Sequence, residues 1–401
     1  MNPFRFRARA FPAALALAVV VAVASAAEPG ISDDRIVLGS EAPVSGPPSL
    51  LGKAHMLALK VWEHDVNARG GINGRKVEIR HDDDGYVPQR ALQGVKRLVE
   101  VEHVFALVGT SGSAMLQAML PYIDEQRIPA INSMAVSASH FTPPHKTVFI
   151  IGPTYCQELS AAMGYLVKSR KLENEKFSLV YQDDEFGTDV RCGYRRAVEA
   201  MKLASVAEIP FKRGTKDFSA EMLNLKRAGA TFIASGGVVA EHSMLLKEAA
   251  KNQMPITFLG IHSAHLTPVQ ALAGSAGDGY YAADYVPPLT DLSVPGMAKF
   301  IALTEKYLTP DERKSLNRYS ITAYVGALVM EEAMRRCGKA LTRECVVGKL
   351  ETMKDFGTDG LASPVSFTPA RRQSPSSVLV LRSDAKAARF DRISDPIPVV
   401  D

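Results

Sequence analysis

The chain has 401 residues, of which 46% are hydrophobic and 22% are charged, and its formal net charge is +4. This is the composition of an ordinary soluble protein without low-complexity tracts, which argues against a disordered chain. The length exceeds what one ordinary core holds and suits two packed α/β units.

The N-terminus has the three parts of a secretory signal. Arg5, Arg7 and Arg9 are followed by an apolar run from Ala10 to Val23 and by the small residues Ala24-Ser25-Ala26. The run is shorter than the roughly 20 apolar residues that cross a bilayer. We therefore predict a signal peptide at 1–26, cleaved after Ala26, and a freely diffusing periplasmic protein, because the site has no lipobox cysteine.

Removal of this segment takes away three arginines and no acid, so the net charge falls from +4 to +1. A nearly neutral protein has no electrostatic footprint for nucleic acid. Export to an oxidising compartment makes the four cysteines candidates for disulfides. Cys337 and Cys345 are the favoured pair, because one ends a predicted helix and the other begins the next. Cys156 and Cys192 either join neighbouring helices or remain two buried thiols.

The first half of the chain alternates short β-branched runs with helical stretches. Strands are predicted at Ile36–Leu38, around Val77 and Ile79, and at Val104–Val108. Between and after them lie helical stripes of apolar residues, and together these elements predict a parallel sheet up to about Ile150. The stripes are Ala54 to Trp62, Ala91 to Val99 and Leu116 to Ile123.

The same alternation restarts and predicts a second sheet of similar size. Its helices lie around Leu159 to Leu166 and after Gly187, and its strands are predicted at 177–181, 206–210, 231–234 and 257–259. Pro287-Pro288 interrupts the pattern. The elements that follow must complete lobes already begun: helices at 297–307, 321–336 and 343–353, and terminal strands near 378–381.

Residues that follow strands define a candidate binding crevice, because open α/β sheets bind ligands at the carboxyl ends of their strands. Small and hydroxyl residues cluster at 43–47, 109–113 and 133–139. Backbone amides there could meet an anion at a helix N-terminus. Phe186, in the segment after strand 177–181, either closes over a ligand or packs in the core. His262 follows strand 257–259 directly and either faces the crevice or lies in a surface loop.

Three catalytic or metal-binding patterns are rejected. Gly109-Thr110-Ser111-Gly112-Ser113 resembles a nucleophile elbow, but the elbow requires glycine at the last position and ordered histidine and acid partners. His242, His262 and His265 match no zinc spacing. Asp82-Asp83-Asp84 is more typical of a capped turn than of a cation site. No catalytic residue, metal or cofactor is expected.

Several segments resemble the type I periplasmic solute-binding proteins of ABC importers, in the leucine/isoleucine/valine-binding group. The resemblance covers almost the whole mature chain. The N-terminal signature is Pro43-Val44-Ser45-Gly46-Pro47 followed by Val66-Asn67-Ala68-Arg69-Gly70-Gly71-Ile72-Asn73-Gly74-Arg75, and 181–187 and 341–344 are similar to later landmarks. Asp83-Asp84-Gly85-Tyr86 resembles a branch that includes receptors for other ligands.

This resemblance implies two doubly wound Rossmann-like lobes joined by three hinge crossings. The lobes would comprise 27–152 plus 288–366 and 153–287 plus 367–401. A ligand carboxylate would be held by one group of residues in the first lobe, and the rest of the ligand by side chains from both lobes. These residues are Thr110, Ser111, Gly112, Ser113, Ala135, Val136 and Ser137 for the carboxylate, and Leu51, Phe186, Val238 and His262 for the remainder.

Two departures from the family pattern concern the ligand. Amino-acid-binding members have an acid at the position of His262 and an aromatic residue at the position of Val238. Because an imidazole cannot replace the carboxylate that holds an ammonium group, the sequence favours an organic or aromatic acid and leaves amino acids and amides open. The implied protein is a monomeric receptor that docks on ABC permease subunits in the inner membrane. A ligand-sensing module for a membrane receptor kinase and an exported hydrolase are the alternatives.

Overall fold

The structure is a computed structural model that describes Met1 and residues 28–46, 48–110, 112–374 and 376–400. The predicted signal peptide, apart from Met1, lies outside the described residues, and so does Ser111. None of the helices in the described ranges has the length and apolar character needed to cross a membrane.

Strands and helices alternate along the chain, as the sequence pattern predicts. The strands are β1 Arg35–Ala42, β2 Lys76–Asp83, β3 Ala106–Val108, β4 Ala130–Asn132, β5 Val148–Ile151, β6 Lys176–Gln182, β7 Ala204–Phe211, β8 Phe232–Gly236, β9 Thr257–Gly260, β10 Tyr281–Asp284, β11 Gln373–Ser374, β12 Ser377–Asp384, β13 Arg389–Arg392 and β14 Ile397–Pro398. The helices are α1 Ser49–Ala68, α2 Pro88–Glu100, α3 Ser113–Gln126, α4 Tyr155–Arg170, α5 Glu185–Met201, α6 Ser219–Ala228, α7 Val239–Lys251, α8 Thr267–Ala273, α9 Pro295–Tyr307, α10 Pro310–Arg313, α11 Arg318–Cys337 and α12 Arg343–Glu351.

These strands form two sheets, one in each lobe. The first sheet has the order β11-β5-β4-β3-β1-β2 and every neighbouring pair is parallel. The second has the order β13-β12-β10-β9-β8-β6-β7, with β14 beside β12; β10, β12 and β13 pair in antiparallel fashion. Strands such as β3 and β4 are wholly buried, as expected when helices cover both faces of a parallel sheet.

The chain passes between the two sheets three times: after β5, after β10 and between β11 and β12. The last crossing differs from the predicted boundary at Ser366, because β11 extends the first sheet beside β5. The amides of Ile150 and Gly152 donate there to the carbonyls of Arg372 and Ser374. The local signal for a strand is an alternation of apolar and polar residues. Two polar residues cannot show it, so the sequence did not indicate β11.

The late helix α11 packs on α1 of the first lobe. Trp62 is fully buried in α1, and its indole Nε1 donates to Glu331 at 2.8 Å. Arg69 also pairs with Glu331, at 3.0 Å. These contacts hold α11 in place, so that its first residues, Arg318 and Tyr319, lie at the interface between the lobes.

Both candidate disulfides form. Cys156 and Cys192 join α4 to α5, which resolves the alternative that the sequence left open, and Cys337 and Cys345 join the end of α11 to α12. The described residues contain no free cysteine.

We expect the two disulfides to differ in their effect on stability. Cys156 and Cys192 are 36 residues apart, and Cys337 and Cys345 are 8 apart. Loop-closure entropy predicts that the double serine variant of the first pair loses about 4 kcal/mol of unfolding free energy, and that of the second about 2.5 kcal/mol. Urea unfolding under oxidising conditions measures both. A larger loss for the Cys337/Cys345 variant would contradict the entropic explanation.

Candidate functional site

A small cavity lies between the lobes, at the carboxyl ends of strands from both sheets. We call it the inner cavity. Most of its wall is aromatic or aliphatic, and none of its described lining residues is acidic. These residues are Leu51, Tyr86, Gly112, Met134, Tyr155, Phe186, Val238, Ile261, His262, Ser263 and Tyr319.

Five of the predicted ligand-binding residues line this cavity: Leu51, Gly112, Phe186, Val238 and His262. Gly112 stands immediately before α3. A Cβ atom at this position would lie 2.6 Å from both the Tyr86 ring and the Met115 side chain. Glycine at position 112 therefore leaves room for this close approach. The role of all five residues in ligand binding stays a prediction.

Of the predicted carboxylate-binding residues that the structure describes, Gly112 alone lines the cavity. Ser137 donates to the Ser113 hydroxyl at 2.9 Å, and Ser113 in turn donates to the Tyr155 hydroxyl at 3.5 Å. The Thr110 hydroxyl is buried and has no hydrogen-bond partner among the described residues. Ala135 and Val136 are also fully buried. Met134 lines the cavity in place of 135–137.

Tyr155 lines the cavity and connects it to these serines by its hydrogen bond with Ser113. Because its oxygen accepts from Ser113, its own proton remains available for a ligand. Burial raises the pKa of Tyr155 well above its ordinary value and also raises that of Tyr319. Both side chains therefore stay neutral at physiological pH and can act as hydrogen-bond donors. The sequence analysis did not identify these two tyrosines as site residues. Their positions in the first turns of α4 and α11 could have indicated that they lie near the cavity.

His262 does face the cavity, but it is held by an acid that the sequence analysis did not identify. Its Nδ1 lies 2.8 Å from Oε2 of Glu158, and its backbone amide donates to Oε1 of Glu158 at 2.6 Å. Glu158 is fully buried and does not line the cavity. Since the carboxylate accepts from Nδ1, that nitrogen carries a proton, and Nε2 has no protein partner among the described residues.

Aromatic rings surround His262. The Tyr155 ring stacks on the imidazole with centroids 5.3 Å apart, and the Tyr285 and Tyr319 rings meet it edge to face. A flat ligand would find ring faces and edges on several sides of this cavity.

A buried ion pair lies beside these rings at the hinge. Arg318 of the first lobe donates to both oxygens of Asp284, at 2.9 and 2.8 Å, and His265 Nδ1 lies 2.6 Å from Asp284. The guanidinium is sandwiched between the rings of Tyr285 and Tyr319, 4.7 Å from each. Burial acts to raise the pKa of Asp284, but Arg318 and His265 together hold it well below its ordinary value.

The three histidines that were considered as metal ligands have other partners in the structure. His242, His262 and His265 use their ring nitrogens on separate partners, namely two serines, Glu158 and Asp284. Burial lowers the pKa of His242 to about 3. In the described ranges, metal-ligating side chains cluster only at Cys156, Asp189 and Cys192, where both cysteines form a disulfide.

The Asp82-Asp83-Asp84 run ends strand β2, and its side chains hold the turn that follows. Asp83 accepts from the amides of Val44, Ser45 and Gly85, and Asp84 accepts from that of Tyr86. Asp82 pairs with Arg97.

Residues 35–388 match the family model described as "Periplasmic binding protein". The chain belongs to this family. A Leu/Ile/Val-binding protein homolog 7 from Brucella abortus (strain 2308) is 25% identical over 314 residues, which cover 75% of this chain and 77% of that protein.

Solved periplasmic binding proteins share the fold. A branched-chain amino acid ABC transporter protein from Thermus thermophilus with bound valine superposes with a TM-score of 0.82 at 21% identity, covering 92% of this chain and 98% of the other. A solute-binding protein of an ABC transporter from Rhodopseudomonas palustris HaA2 in complex with p-hydroxybenzoic acid gives 0.80 at 20% identity, covering 92% and 98%.

This periplasmic binding protein has a second, larger chamber next to the inner cavity. We call it the outer chamber. It shares Tyr86 and Val238 with the inner cavity, and its other lining residues are Pro48, Gly85, Gln182, Arg213, Gly214, Val239, Ala240 and Glu241.

Arg213 bridges the lobes at the outer chamber. Its Nη2 donates to Asp184 of the second lobe at 2.7 Å, while its Nη1 lies 3.3 Å from the Tyr86 carbonyl in the first. The guanidinium also stacks 4.8 Å from the Tyr86 ring centroid. Tyr86 therefore separates the two spaces, with the cation on its outer side.

Proposed function

We propose that the protein is a non-enzymatic periplasmic receptor that captures a small organic or aromatic acid between its lobes. The captured ligand would be delivered to the permease of an ABC importer. The observation that carries this proposal is the polar chemistry of the inner cavity: an imidazole backed by a buried carboxylate, phenol donors and no acidic wall residue.

An α-amino acid would require a carboxylate for its ammonium group. Glu158 is the acid nearest to His262, but both its oxygens are engaged by that residue, which stands between it and the cavity. A ligand carboxylate, in contrast, could accept from an Nε2–H of His262 and from the Tyr155 hydroxyl. These donors favour an acid without an amine.

Two solved proteins of this fold show which kinds of ligand it can hold. Proteins of this fold are named for valine and for p-hydroxybenzoic acid, so the fold accommodates acids with and without an amine. Closure of two lobes on a solute explains why the site is built from both of them. No step of this function requires a catalytic group.

Thermal-shift measurements with a panel of ligands test the proposal. We expect benzoate and other monocarboxylates to raise the melting temperature, and leucine and benzamide to have little effect. Benzamide is the matched control for benzoate because it keeps the ring and removes the charge. A shift with leucine-like amino acids alone would contradict the assignment of His262, and turnover of an ester abolished by Ser111→Ala would indicate a hydrolase.

A further inference from the structure

We propose that the binding site continues past Tyr86 into the outer chamber, so that this receptor takes an elongated monocarboxylic acid with an uncharged tail. The acid group would lie in the inner cavity and the tail in the outer chamber. This inference rests on the proposed acid-binding function and specifies the length and polarity of the ligand.

The two spaces share part of their wall. Tyr86 and Val238 line both of them, one from each lobe. Val238 immediately precedes α7 and presents only a short aliphatic side chain at this point. A ligand that touches Val238 in the inner cavity therefore reaches the outer chamber when its chain is extended by a few atoms.

The walls of the outer chamber suit an apolar chain. Pro48 and the ring of Tyr86 form one side, and Val238, Val239 and Ala240 form the other. Burial of each methylene of a ligand between such groups increases affinity by roughly fourfold.

The charges in the outer chamber argue against a second acid group on the ligand. Arg213 is already paired with Asp184 at 2.7 Å. Glu241, which is also in the wall, accepts from the Val238 amide at 3.2 Å. An anionic tail would meet the Glu241 carboxyl without finding a free cation among the lining residues.

Isothermal titration calorimetry with butanoate and octanoate tests this inference. We expect octanoate to bind at least about tenfold more tightly than butanoate, because four additional methylenes enter the outer chamber. Ala240→Phe, which fills the outer chamber only, should bring the affinity for octanoate close to that for butanoate, whereas the control Ala240→Ser should preserve the difference.

The outcomes separate the two proposals. Equal affinity for butanoate and octanoate, or an advantage for octanoate that survives in Ala240→Phe, would overturn the extended site and leave acid binding intact. If neither acid binds while amino acids do, the acid-binding function fails and the extended site fails with it.

Discussion

Replacing Asp284 with alanine is expected to lower the free energy of unfolding by about 3–5 kcal/mol, because it leaves the charge of Arg318 buried without a partner. Both side chains of this pair are fully buried. Asp284 also accepts from the amides of Tyr285 and Val286, where the chain leaves the second lobe. Urea unfolding followed by circular dichroism measures the loss.

A surface ion pair supplies the matched control. Lys314 and Asp311 are also 2.8 Å apart, but both are mostly exposed, so Asp311→Ala should change stability little. Both variants remove a carboxylate from an ion pair, but only Asp284→Ala does so at a buried site, where the contacts with His265 and with two backbone amides are lost as well. An Asp284→Ala protein as stable as the unmodified protein would show that the ion pair contributes nothing net to the fold.

The Asp284–Arg318 pair also predicts how the free energy of unfolding depends on pH. The folded-state pKa of Asp284 lies below its ordinary value of 3.8. Its contribution to stability is therefore present above pH 3.8 and is lost as the pH falls below that value. The difference in unfolding free energy between the unmodified protein and Asp284→Ala should accordingly shrink at low pH.

Replacing His262 with alanine is expected to weaken binding of acids by about 10-fold to 100-fold, because a hydrogen bond to a charged group contributes roughly 1.5–3 kcal/mol. Glu158→Gln should weaken the same binding in a variant of unchanged shape, since a neutral amide oxygen accepts more weakly from Nδ1 of His262 than a carboxylate does and holds the ring less firmly. Calorimetry with the acid that gives the largest thermal shift measures both effects.

The control for these variants is His64→Ala. His64 is exposed and stacks on Tyr307, away from the cavity, so its loss should leave acid binding unchanged. Circular dichroism establishes that each variant is folded. If His262→Ala and Glu158→Gln both bind the acid as the unmodified protein does, the imidazole does not contact the ligand carboxylate.

The sequence predicted the fold because fold class depends on patterns that are local along the chain. The alternation of the apolar runs that become β1, β2 and β3 with the helical stripes of α1 and α2 is enough to indicate parallel sheets. The position of His262 directly after β9 left a crevice side chain and a surface loop as alternatives, and the structure shows the first. Where the local pattern is absent, as in the two-residue strand β11, the prediction failed.

The composition of the site could not be predicted in the same way. Glu158 and His262 are separated by 104 residues and Asp284 and Arg318 by 34, and no periodicity connects either pair. The serines near 113 and 137 carried the strongest sequence signal, yet they lie behind Tyr155, whose importance depends on the packing of α4 against the first lobe.

By itself, the sequence determined the alternation of strands and helices, the even number of cysteines and the presence of a histidine where the family resemblance implies an acid. The tertiary structure alone decided that this histidine is backed by a buried carboxylate and that none of the described residues in the cavity wall is acidic. It also placed the outer chamber beyond Tyr86. The physical reason is that backbone geometry converts local sequence into elements, whereas the hydrogen bonds, burial and charge that select a ligand arise only when distant elements pack together.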